Sequence, residues 1–265
     1  MNAIVIGLNA YRESLRRKTL IAFLLFAMLV IASSTFLTVL SPGEEVKMVK
    51  DVCLSSISFF GMLIAVFTAG ALIPGEMENR TIHTIVSKPL RRVTYLLGKY
   101  LGSQLTILLT LVLMSMLFMV ILFLQSRRYI DESGTPRFIP FLVIGKAMLL
   151  VYFELLVLSA LALAVSTLST SATLPVIGGI FIYIVGHSVD YLKNLSEHAA
   201  SGLMAGIIRV FYLILPNFSN FYLRNQLVHN DPYVPQGITR LFIYAFLYAG
   251  FGLLIAYLLF RKKDM

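Results

Sequence analysis

The sequence has few of the residues that build soluble or secreted domains. Charged residues make up 13% of its 265 residues, tryptophan is absent and Cys53 is the single cysteine. Soluble domains carry roughly 25% charged residues, and one cysteine cannot form an intrachain disulfide. With 58% hydrophobic residues, this composition excludes a soluble globular enzyme, a disordered chain and a disulfide-stapled module.

Long charge-poor blocks account for the hydrophobic excess. Their length suits a hydrocarbon layer of roughly 30 Å. One block, 147–189, is twice as long as one crossing needs, and its hydroxyl-rich run 166–173 before Pro175 predicts a turn between two helices. The sequence therefore predicts an all-α integral membrane protein with six transmembrane helices in one domain, 1–265. The blocks are 19–40, 52–75, 100–124, 147–189 and 241–260.

Basic residues predict the orientation of these spans. Twelve lie on the side that holds both chain ends and ten on the other, where Arg224 falls in the long segment 190–240. Because basic residues near the chain ends stay inside, both termini are expected in the cytoplasm, with the chain in the cell (inner) membrane. The formal charge of +9 indicates contact with anionic lipid, and no nucleic-acid partner is expected.

Segment 202–215 is apolar, contains Arg209 and is short for a crossing. It is interpreted as a helix in the outer interface, with a re-entrant piece as the alternative. A full crossing would place the two chain ends on opposite sides.

The first residues form a predicted amphipathic helix on the inner leaflet. Its apolar positions recur at helical spacing: Ile4, Leu8, Tyr11 and Leu15. Its basic positions are Arg12, Arg16, Arg17 and Lys18. The helix is interpreted as a topology anchor or as an elbow that also touches a cytoplasmic partner.

The segment after the second span predicts a short cytoplasmic helix. Pro74, Glu76 and Glu78 suit its beginning, and Pro89 ends it. An apolar stripe formed by Ile82, Ile85 and Val86 has no soluble domain in the chain to cover it. The stripe indicates either a partner protein or a helix lying on lipid.

At these residues the chain resembles the type-2 ATP-binding-cassette (ABC) permeases, and most closely the branch of multi-copper enzyme maturation permeases. Three stretches carry the resemblance: 76–102, 215–218 and 260–264. Many relatives have glycine at the position of Arg80. The resemblance implies an elbow helix, six spans, a coupling helix after span two, and a homodimer or heterodimer served by two ATP-binding subunits.

The resemblance also assigns the coupling helix to the interface with the ATP-binding subunit. The implied contact residues are Glu76, Glu78, Arg80, Thr81, Ile82, His83, Ile85, Val86, Ser87, Lys88 and Pro89. The chain has no Gly-x-x-x-x-Gly-Lys-Ser/Thr motif. ATP and magnesium are therefore expected on the partner, and this chain is expected to bind no cofactor and not to be an enzyme itself.

Two groups of polar residues in the membrane blocks are candidate sites. Glu154 is a charge within a predicted span, and such a charge indicates a translocation path or dimer seam. The alternative is a carboxyl that is protonated, or hydrogen-bonded to a hydroxyl such as that of Ser159 or Thr167. Near the end of the long block, His187 and Asp190, followed by His198, could suggest a metal, but a structural role is favoured and no metal site is predicted.

Two other function classes compete with transport. An intramembrane protease or lipid transferase would need convergent catalytic groups, and neither His-Glu-x-x-His nor Gly-x-Ser-x-Gly occurs in the sequence. A membrane anchor that recruits an ATPase without transport would share the same sequence features.

Overall fold

The structure is a computed structural model that describes residues 3–37, 45–78, 92–128, 141–189, 215–222, 224 and 237–262. Among these residues it contains helices and no strands. The α-helices are α1 (Ala3–Arg16), α2 (Lys18–Leu37), α3 (Glu45–Gly70), α4 (Leu72–Glu78), α5 (Arg92–Arg128), α6 (Phe141–Leu168), α7 (Thr173–His187) and α8 (Gly237–Lys262), and Phe218–Tyr222 forms a 3₁₀ helix.

Five of the described helices, α2, α3, α5, α6 and α8, are long and apolar enough to cross a membrane. The predicted all-α membrane fold is therefore confirmed. Helix α7 has 15 residues, a rise of about 22 Å at roughly 1.5 Å per residue, which is short of the hydrocarbon thickness. The count of six spans, with α7 as the sixth, stays a prediction.

The helix ends differ from the ends of the charge-poor blocks. The predicted turn is confirmed at residues 169–172, between α6 and α7. The block 52–75, predicted as one span, instead contains the last part of α3, a break at Ala71 and the first turn of α4. Helices α3 and α5 also begin at charged residues, Glu45 and Arg92, because a helix can continue beyond the hydrocarbon to where its charges meet water.

Helix α6 lies at the centre of the bundle and packs against α3, α5, α7 and α8. Its apolar window is 72% buried, compared with 22% for α2 and 28% for α8. Phe153 packs edge-on against Phe242 of α8 with ring centroids 5.4 Å apart. The outer helices leave leucine and phenylalanine side chains exposed, as expected for surfaces that face lipid.

Helix α1 packs on the first turns of α5 through small residues. A Cβ added at Gly98 would lie 2.7 Å from Ile6 Cβ, and one at Gly102 would lie 2.5 Å from the carbonyl oxygen of Gly7. The buried face of α1 is Ile6, Gly7, Ala10 and Ser14. The predicted apolar stripe is a different face, on which Ile4 is 68% exposed, so its contact with the inner leaflet stays a prediction.

We expect Gly102→Ala to destabilise the protein by about 1–3 kcal/mol, because the new methyl group would collide with the backbone of α1. Gly250→Ala in α8 is the matched control, since a Cβ there meets no atom within 4 Å, and alanine favours a helix. Thermal unfolding in detergent should show a lower Tm for Gly102→Ala alone. Equal Tm values would contradict the close α1–α5 packing.

Candidate functional site

One end of the bundle, here called the α1 end, joins helices that are distant in sequence. Arg92, the first residue of α5, donates hydrogen bonds to the carbonyl oxygens of Phe260 (3.2 Å) and Arg261 (2.8 Å) in α8. Tyr95 stacks on Phe260 with ring centroids 5.8 Å apart. A guanidinium at a helix C-terminus satisfies free carbonyls and complements the helix dipole, so the start of α5 and the end of α8 are tied together.

Ionic contacts connect α1 to the same place. Glu13 pairs with Arg17 at 2.8 Å and lies 3.9 Å from the ammonium of Lys99 in α5. The Lys99 side chain is buried and sits over the ring of Tyr95. Glu13 is half exposed, so each pair contributes about 1 kcal/mol or less, and the close backbone packing dominates this junction.

Helix α4 leads into the predicted coupling segment from this end. Leu72 and Ile73 are buried, and a Cβ added at Gly75 would lie 3.3 Å from the guanidinium of Arg17. Pro74 lies in the first turn of α4 and has no N–H for the carbonyl oxygen of Gly70, four residues earlier, on the other side of the break at Ala71. Segment 79–91, which holds the predicted contact residues from Arg80 to Pro89, lies outside the described residues, so the coupling assignment stays a prediction.

The predicted basic face of α1 is at the same end. Arg12, Arg16 and Lys18 are exposed, and Arg17 is half-buried beside Glu13. These positions leave three cations free to meet lipid headgroups or a partner, as the sequence predicts for an inner-leaflet helix.

A second cluster is buried in the middle of the bundle. Glu154 of α6 is 1% exposed, and its Oε2 forms an ion pair with Nη1 of Arg224. Its Oε1 lies 3.3 Å from Nε2 of His187, the last residue of α7. The ring of Tyr183 packs against that of His187, with centroids 4.4 Å apart.

The depth of this cluster follows from helix geometry. Glu154 lies 14 residues before the end of α6, and His187 lies 14 residues after the start of α7. Fourteen residues rise about 21 Å, so the two antiparallel helices place both side chains at one level. This level is the middle of α6, between the α1 end and the opposite end, here called the far end.

Arg224 reaches this level on a re-entrant segment, defined as residues 215–222 together with Arg224. Phe218 and Phe221 are fully buried in the core. The Ser219 hydroxyl donates to the carbonyl oxygen of His187 (2.9 Å), and the backbone N–H of Asn217 donates to the Tyr244 hydroxyl (2.7 Å). These contacts fix the segment between the end of α7 and the start of α8.

Glycine allows the closest approach of this segment to α7. A Cβ added at Gly186 would lie 2.4 Å from the ring of Phe218 and 2.9 Å from the carbonyl oxygen of Pro216. The last turn of α7 thus packs directly against the re-entrant segment.

A family model described as "ABC-2 family transporter protein" matches residues 36–265. The chain belongs to this family. It is therefore a multi-pass membrane protein and the permease component of an ABC transporter, of a family whose members associate with an ATP-binding subunit and are generally non-catalytic. No curated protein matches the chain. The multi-copper branch stays a prediction.

The sequence identified only part of the buried cluster of this ABC-2 permease. Glu154 is the candidate from the sequence, and its partner is Arg224. The hydroxyls of the alternative bond elsewhere: Ser159 accepts a hydrogen bond from Gln104 and donates to the carbonyl oxygen of Leu156, and Thr167 donates to that of Ala164. Arg224 was counted among loop residues. The signal that could have pointed to Arg224 is chemical, since a carboxylate in hydrocarbon needs a residue of opposite charge beside it.

His187 belongs to the same cluster, and its neighbour is a carboxylate. Within the part of the ABC-2 permease that the structure describes, no three His, Cys, Asp or Glu residues are placed to hold a metal ion. Asp190 and His198 lie outside that part. The structural interpretation of His187 is supported by its contacts with Glu154, Tyr183 and Phe218.

We expect Arg224→Gln to destabilise the permease by about 3–5 kcal/mol, because it leaves the Glu154 carboxylate buried without its counter-charge. The double variant Glu154→Gln/Arg224→Gln should lose much less, since no buried charge is left unpaired. Thermal unfolding of both in detergent tests this. A double variant at least as unstable as Arg224→Gln would argue against the pairing.

Proposed function

We propose that this permease forms a dimer and couples ATP hydrolysis by a separate subunit to translocation of a substrate, with its α1 end in the cytoplasm. One observation carries the proposal. The end of the bundle at which α4 ends and α5 begins, on either side of segment 79–91 in the sequence, also holds α1 and the end of α8. The exposed cations Arg12, Arg16 and Lys18 at this end support a cytoplasmic position by the positive-inside rule.

The arrangement suits the transmission of force from a partner. Segment 79–91 is covalently continuous with α4 and α5, and α5 is held to α8 by Arg92 and to α1 by close backbone packing. A push on this segment would displace several helices together. Packed interfaces shift between discrete arrangements and do not bend continuously, so such a push would switch the bundle between states.

The partner supplies the chemistry in this proposal. ATP and magnesium bind to the ATP-binding subunit, while Ile82, Ile85 and Val86 fill a groove on its surface and Glu76 and Glu78 orient the helix. The second permease of the dimer is an identical chain or a related one. Transport is favoured over the intramembrane enzyme because of the family membership.

We expect Ile85→Asp to reduce the ATP-binding subunit that co-purifies with the permease by about tenfold or more. Tenfold corresponds to about 1.4 kcal/mol, which is less than the roughly 1.5–3 kcal/mol gained by burying an isoleucine side chain. The measurement is subunit recovery and ATP hydrolysis after purification from native membranes.

Leu142→Asp is the matched control. It makes the same kind of change at the start of α6, at the far end, where Leu142 is 74% exposed, and it should leave recovery unchanged. If Ile85→Asp retains the subunit as well as this control does, the docking assignment is wrong.

A further inference from the structure

The re-entrant segment separates two very different environments. On its far side lies a cleft of about 490 Å³ between the segment and the start of α8. Among the described residues its lining includes Ser219, Asn220, Tyr222, Arg240 and Tyr244. Gly237 and Leu241 complete this lining, which is therefore mixed polar and apolar and includes one exposed cation, Arg240.

On the other side of the segment the bundle is closed. Leu155 and Leu158 of α6 and both phenylalanines of the segment, Phe218 and Phe221, are 0% exposed. Leu158 lies one helical turn from Glu154 toward the α1 end, on the same face of α6. Anything passing from the α1 end to the cleft along this face would have to displace the segment.

Three kinds of contact hold the segment in place. The two buried phenylalanines contribute apolar packing, which has no preferred direction. Hydrogen bonds join Ser219 to His187 and Asn217 to Tyr244. Within the part of the chain that the structure describes, the ion pair of Arg224 with Glu154 joins the segment to the central helix α6 by opposite charges.

The two partners of this ion pair are unequally satisfied. Nε of Arg224 is buried without a hydrogen-bond partner among the described residues, whereas Oε1 of Glu154 lies 3.3 Å from Nε2 of His187. A buried pair of this kind adds little net stability, because desolvation offsets the attraction, and in some proteins such a pair specifies a single arrangement. The pair therefore suits a contact that fixes one state and can be exchanged for another.

We propose that Glu154 and Arg224 are the latch of a gate at the far end, that the re-entrant segment is the gate, and that the two side chains separate when the gate opens during transport. Both act as positioning residues: they hold the segment across the path and need not touch the substrate. Opening in response to ATP rests on the proposed function, whereas closure by the latch does not.

The single cysteine of the chain makes the latch testable by thiol labelling. Cys53, which lies within 3.4 Å of the Ser34 hydroxyl, is changed to serine, and Leu158→Cys places a reporter directly behind the latch. The full chain in lipid vesicles is exposed to a membrane-impermeant maleimide. With the latch intact, labelling should be slow, because position 158 is 0% exposed.

The latch variant is Glu154→Gln/Arg224→Gln, which removes the ion pair without leaving a buried charge unpaired. We expect it to label about tenfold faster or more, since labelling follows the population of the open state. Arg224→Lys keeps the charge and should label slowly. Lys99→Gln removes a buried cation at the opposite end and is the matched control, also expected to label slowly.

The outcomes separate a latch from a purely structural contact. If the double variant labels as slowly as the intact chain, the latch is overturned. If Arg224→Lys labels as fast as the double variant, charge pairing does not hold the segment and the proposal also fails. Fast labelling of the double variant with slow labelling of both Arg224→Lys and Lys99→Gln supports it.

A second measurement tests opening. In the complex with its ATP-binding subunit and with the latch intact, ATP should increase labelling at position 158. Hydrolysis without any change in labelling would overturn the opening step. If no ATP-binding subunit associates, the proposed function fails, and the labelling of the chain alone still decides whether the latch exists.

Discussion

A carboxylate in the middle of an apolar helix constrains everything around it. An unpaired charge in hydrocarbon costs at least about 2.5 kcal/mol even on the most lenient scale, and Glu154 is 1% exposed at the centre of α6. Its counter-charge, Arg224, comes from the re-entrant segment, whose Phe218 and Phe221 are buried in the bundle. The re-entrant course of residues 215–222, the end of α7 at His187 and the burial of Phe218 are all consistent with satisfying this one group.

The α1 end is held by a different kind of interaction. There, charges are partly exposed and weak, and the joining is done by the close approach of backbones at Gly98 and Gly102 and by the packing of Tyr95 on Phe260. Small residues serve this purpose in membrane proteins because hydrocarbon tails give helices little hydrophobic reason to associate. The α1 end, beside the proposed coupling segment, is thus held by close packing. The re-entrant segment is held to α6 by an ion pair.

Several features were readable from local pattern. Charge-poor stretches of the right length identified the long helices, and the hydroxyl-rich run before Pro175 identified the turn from α6 to α7. The break at Ala71 was missed although its signal is local, since Pro74 has no N–H for the carbonyl oxygen of Gly70, four residues earlier. The buried face of α1 was missed because a distant contact sets it: α1 buries its small residues against Gly98 and Gly102 of α5, and not the apolar stripe that its sequence presents.

By itself, the sequence determined that this is a helical membrane protein, because hydrocarbon admits only helices with their backbone groups satisfied internally, and it singled out Glu154 as costly. Only the tertiary structure decided that Arg224, and not a nearby hydroxyl, meets that charge, and that His187 and Tyr183 share its site. The physical reason is that a counter-charge is chosen by proximity in space. Proximity between α6 and a segment 70 residues later along the chain follows from how the helices pack.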